Sequence, residues 1–220
     1  LANRGLRHGA TPGVIAWTGE GDNDLRNLPT GRQRLANIPF DIIAPQRNGG
    51  RAVVCLDGDP ARGAPRAVVV PLNGRSCRSI YFLHALGRSG GGAGSVAGYY
   101  DAEYADGRTE RIHVRDRREI GLWWGIDDHG MNRDVARRAW WGANPQWKTV
   151  GLFAFGWNNP RPDTPLTALR LAAADERAGI LLAGLTLSDQ PVAFEPRIRS
   201  YGLPDCWAQA AVYHALAEGL

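Results

Sequence analysis

Ser95-Val96-Ala97-Gly98-Tyr99-Tyr100-Asp101-Ala102-Glu103-Tyr104, then Ala105-Asp106-Gly107, then Arg108-Thr109-Glu110-Arg111-Ile112-His113-Val114, reads as two strands around a tight turn. Asp-Gly between two β-prone runs is the strongest short-range hairpin signal, because glycine takes the positive φ that the turn requires. Beyond the turn, Thr109, Arg111, His113 and Arg115 alternate with Glu110, Ile112 and Val114. That is the period of a strand with one wet face.

The same reading extends in both directions. Apolar runs bounded by turn residues predict strands at 38–43, 52–56, 67–72, 79–86, 121–126, 135–141, 149–157, 166–173 and 180–187. With the hairpin, that makes about eleven antiparallel strands. No helical pattern intervenes, which points to a mostly β chain, a β-sandwich or jelly roll, rather than a βαβ fold. Residues 1–37 read as a loop-rich segment packed on the sandwich, and 38–200 as the sandwich itself. The run from Asp205 to Glu218 is rich in Ala and Leu and has a potential N-cap in Asp205. It predicts a short C-terminal helix within 201–220, read as the edge of another domain.

Composition narrows the function. The chain has 220 residues, enough for a core that needs no staple, and its 28 Gly and 14 Pro fit many turns. The net charge of +4 comes from arginines interleaved with acids, as in Arg108, Glu110, Arg111, Arg115, Asp116, Arg117, Arg118 and Glu119. A nucleic-acid binder would carry a basic stripe, so nucleic acid is not an expected partner. Arginine also suits bidentate contact with carboxylates, which permits an acidic glycan. No apolar run approaches the ~20 residues of a membrane span. No signal peptide is visible in residues 1–30, and the chain begins without Met. The expected location is nevertheless secreted or periplasmic, with a leader or upstream region removed. Cys55, Cys77 and Cys206 match no zinc or redox spacing. Cys55 and Cys77 read either as a pair or as buried free thiols.

Eight tryptophans are the other clue. Trp123-Trp124 and Trp140-Trp141 are adjacent pairs, and neighbours on a strand face opposite ways. One ring of each pair can enter the core while the other serves as a sugar-stacking platform. After Trp123-Trp124 comes a polar loop containing Asp127, Asp128 and His129. It offers charge-assisted hydrogen bonds to hydroxyls, although it reads more readily as an ordinary polar loop. Adjacent aspartates rarely reach the face-to-face separation that a glycosidase pair needs. Glu20, Asp22 and Asp24 form an oxygen-rich cluster without EF-hand spacing, a weak structural-calcium candidate or a plain turn. No cofactor is required. His84, inside an apolar strand, reads as a hydrogen-bonded core group. The glycine tract 87–94 lacks the Gly-Lys-Ser/Thr ending of a phosphate cradle.

Stretches 24–31, 38–43, 80–85, 104–108, 123–124 and 155–160 resemble galactose-binding-like β-sandwich domains, the carbohydrate-binding-module-like units beside bacterial glycoside hydrolases. The resemblance spans about residues 14–190. It implies a jelly-roll-like fold, a poly- or oligosaccharide partner and a neighbouring catalytic domain. It transfers no particular ligand residue; read from the residues themselves, the candidate sugar contacts are Trp123, Trp124, Asp127, Asp128, His129, Trp141, Arg117 and Asn158. The expected function is a non-catalytic carbohydrate-binding accessory domain. Two rivals stand beside it: a glycan-active hydrolase or lyase using Asp128, His129 and Arg117, and a structural spacer whose tryptophans are all buried.

Overall fold

The computed structural model describes residues 1–89, 91–125, 131, 132 and 134–194. The expected C-terminal helix, Cys206 and the loop residues Asp127, Asp128 and His129 lie outside the described residues. The chain forms a mostly β, antiparallel sandwich. Its strands are β1 (Gly31–Leu35), β2 (Ile38–Ile42), β3 (Val54–Asp57), β4 (Ala67–Arg75), β5 (Ser79–Arg88) and β6 (Val96–Tyr104). Then follow β7 (Thr109–Arg115), β8 (Ala136–Gly142), β9 (Val150–Asn158), β10 (Leu166–Ala173) and β11 (Gly179–Ser188). One sheet runs β4-β10-β6-β7, a larger one β3-β11-β5-β9-β8, and β1-β2 is a separate hairpin.

The decisive hairpin is β6-β7. Gly107 has φ 82°, and the Tyr104 amide donates to the Arg108 carbonyl at 2.9 Å across the turn. Inside the larger sheet, β5 is buried on both faces for eight consecutive residues. Ile80, Phe82 and Leu86 enter a core shared with the four-stranded sheet, through Tyr100, Ile112, Leu169 and Leu171. Tyr81, Leu83 and Ala85 face the other way, into a second core. Leu6, Leu25 and Leu28 of the N-terminal segment and Phe40 and Ile42 of β2 close that second core. The N-terminal segment is thus a cover layer over the outer face of the five-stranded sheet.

Two expected features need correction. Gly31–Leu35, read as loop, is a strand paired with β2. Of the stretch 121–126, read as a strand, the described residues 121–125 are instead a wedge of isolated bridges. Beyond the His84–Phe153 pair, β5 and β9 part, and residues 121–125 fill the gap. The Leu86 amide donates to Gly121 at 2.8 Å, and the Trp123 amide donates to Leu86 at 3.1 Å. On the other side the Gly151 amide donates to Trp123 at 2.7 Å, and the Gly125 amide to Thr149 at 2.9 Å. The backbone groups are satisfied, as buried groups must be, but the pairing is too broken to make a strand. Cys55 and Cys77 are both free. They cannot pair in this fold, because Cys55 belongs to the second core and Cys77 to the first.

Candidate functional site

The wedge fixes the site by delivering Trp123 to the end of the five-stranded sheet. A short three-way ribbon brings the rest. The Asn3 amide donates to the Val53 carbonyl, and the Ala52 amide donates to Arg4 at 2.8 Å. The Gly5 amide donates to Ile15, and the Trp17 amide donates back to Gly5, both at 3.0 Å. Arg4 and Trp17 therefore stand beside one another, next to the start of β3. Gly87 of β5 makes room for the indole, since a Cβ there would lie 3.2 Å from the Trp17 ring.

Trp17 and Trp123 meet edge to face, with centroids 4.4 Å apart and planes at 82°. Trp124 continues the run 5.8 Å beyond Trp123. Edge-to-face contact suits the ring quadrupoles and holds the wall rigid. Together Trp17 and Trp123 wall a cleft of about 340 Å³ between the N-terminal segment and the sheet end. Its polar lining includes Arg4, Arg62, Glu20 and the ion-paired Asp57 and Arg88. Arg62 pairs with Asp59 at 3.6 Å, and Glu20 accepts from the Asn23 side chain. Arg4 is only 8% exposed. Its guanidinium donates to the carbonyls of Asn3 at 3.2 Å, Arg62 at 3.4 Å and Gly63. Among the described residues it has no carboxylate partner. The Trp17 indole N–H is buried and also unpartnered.

The residues singled out in the sequence fall in several places. Trp123 is 2% exposed, so it forms cleft wall rather than an outward platform. Trp124 is half-buried against the second core. Trp141 is 56% exposed, with the Arg138 guanidinium 4.6 Å from its ring centre. It pairs in register with Gly151, whose amide holds Trp123, so these aromatics share one end of the sheet. Asn158 sits opposite Ser79 at the far end of β5, and its Oδ1 accepts from the Val192 amide at 2.7 Å. Seven residues along an extended strand separate the ends by about 23 Å, so Asn158 does not join the site. Arg117 is exposed, at φ 56°.

Asp22 and Asp24 of the acidic run are committed elsewhere. The Asp24 carboxylate accepts from Arg26 Nε at 2.8 Å, Arg26 Nη2 at 2.9 Å and the Arg26 amide at 3.0 Å. Asp22 binds the same guanidinium, which holds its carboxyl below the usual carboxylate range. Two of the three residues read as a weak calcium loop, Asp22 and Asp24, thus share the Arg26 guanidinium. Among the described residues, no three His, Cys, Asp or Glu side chains are grouped to hold a metal.

Arg4 and Trp17 were not singled out as site residues. Trp17 carried a faint signal, a large ring in a short apolar run inside a polar segment. Arg4 carried none, since only the fold shows that it is buried. No family model, curated protein or solved structure significantly matches the chain.

Proposed function

We propose that this chain is a non-catalytic carbohydrate-binding domain of the galactose-binding-like type, an accessory to a secreted polysaccharide-degrading enzyme. The observation that carries the reading is the Trp17–Trp123 wall beside a polar-lined cleft of about 340 Å³. Sugar rings offer apolar C–H faces to indole and hydroxyls to a few fixed polar groups, and this cleft supplies both. Exposed Trp141 extends the aromatic surface at the same end of the sheet. Few contacts must offset the cost of ordering a flexible ligand, so Kd for a short oligosaccharide should be on the order of 10⁻³–10⁻⁵ M.

The test is pull-down on a panel of soluble and insoluble polysaccharides, with reducing ends assayed in the same tubes. Retention without new reducing ends is expected. Trp17→Ala should lower retention at least about tenfold, since it removes one wall of the cleft. New reducing ends would make the chain an enzyme, and retention of no polysaccharide would remove the reading.

A further inference from the structure

The cleft holds two buried donors that the protein leaves without their natural partners. A guanidinium keeps its charge when buried, and burying it is costly unless an anion or several acceptors surround it. Arg4 is nine-tenths buried yet bonds only to neutral carbonyls. Two of its five N–H groups remain unspent by those three bonds. Of the carboxylates nearby, Asp57 pairs with Arg88, Asp59 pairs with Arg62, and Glu20 accepts from the Asn23 side chain. The Trp17 indole N–H lines the same cleft and has no acceptor. With Arg62 and Arg88 matched by Asp59 and Asp57, Arg4 is the guanidinium of the lining that has no carboxylate partner among the described residues.

We infer that the sugar this cleft takes is a hexuronate, its carboxylate set against Arg4 and its ring against the Trp17–Trp123 wall. This rests on the carbohydrate-binding reading and names its substrate class. One unpaired guanidinium matches one carboxylate. A phosphate would bring nearly two negative charges to it. The carboxylate is planar and accepts at two oxygens, which suits a guanidinium fork or a guanidinium and an indole N–H together. The wall recognises the ring, and the charge selects the acidic sugar over its neutral counterpart.

The experiment is calorimetric titration of the whole chain with oligogalacturonate and with a neutral galactose oligomer of equal length, at low and at high salt. The acidic oligomer should bind at least about tenfold more tightly at low salt. That ratio should shrink as salt rises, because exposed parts of the electrostatic attraction are screened. Arg4→Gln should erase the difference between the acidic and the neutral oligomer. Exposed Arg108→Gln should leave the ratio as it is. Should Arg4→Gln fail to fold by circular dichroism, the ratio and its salt dependence in the native chain still decide. Equal binding of both oligomers overturns the hexuronate assignment and leaves the carbohydrate-binding reading standing. Binding of neither overturns both.

Discussion

His84 shows how a titratable side chain can be kept out of chemistry. Its Nε2 lies 3.1 Å from the Glu119 carbonyl, and its Nδ1 lies 3.0 Å from the Tyr100 hydroxyl. A carbonyl only accepts, so Nε2 carries the proton and the tyrosine O–H donates to Nδ1. Burial then lowers the histidine pKa to about 3, against the hydrogen bond to Glu119. The unfolded chain takes up this proton below pH ~6.5, while the folded chain refuses it until about 3. Stability is therefore full above pH ~6.5 and is lost as pH falls toward the folded value. The loss from this group should reach about 2 kcal/mol by pH 5. Urea midpoints at pH 7 and pH 5 measure it, and His84→Asn should flatten the difference. An unchanged native midpoint across that range would refute the neutral, buried state. The role of His84 was legible from the apolar run around it, because a lone histidine among Phe82, Leu83, Ala85 and Leu86 has to be satisfied internally. Arg4 was not legible, because a charged residue in a polar N-terminal stretch looks solvated until the fold encloses it.

At the scale of the element, the β1–β2 hairpin and the 121–125 wedge mark where pattern reading ran out. Strand β1, Gly-Arg-Gln-Arg-Leu, has one large apolar side chain and pairs on one side only. Its turn is Ala36-Asn37, with φ values of 49° and 64°. Two consecutive positive φ values define a type I′ turn, whose usual residues are Asn-Gly. Alanine pays a steric cost there, and so the turn carried no recognisable signal. The double substitution Ala36→Asn, Asn37→Gly should stabilise the chain by about 1 kcal/mol, read as a raised Tm. A lowered Tm would count against the turn type. The wedge erred the other way. Its apolar residues look like a strand, but they bond partly to β5 and partly to β9, which alternation along one segment cannot reveal. By contrast β5, β6, β7, β9, β10 and β11 were legible, since each is a long apolar or alternating run bounded by turn residues.

Across the whole molecule, the five-stranded sheet is a middle layer. Its inner face packs on the four-stranded sheet and its outer face on the N-terminal cover. Leu25 in the cover and Leu169 in the four-stranded sheet are both fully buried. If the cover is as integral as the sandwich, Leu25→Ala and Leu169→Ala should cost similar amounts, each about 2–5 kcal/mol. Denaturant unfolding of the two variants measures this, and a Leu25→Ala cost below about 1 kcal/mol would mean a cover that opens on its own. The cover also builds the cleft, so under the proposed function loosening it should weaken retention on polysaccharide as well as stability. The two-faced burial of β5 has a further consequence during synthesis. Its flanking partners, β9 and β11, begin about sixty and about ninety residues after it ends. At roughly 5–20 residues per second, a ribosome leaves this strand without a neighbour on either edge for several seconds. The segment most sheltered in the finished protein is therefore the one most available to a chaperone, or to another nascent chain, while the protein is being made.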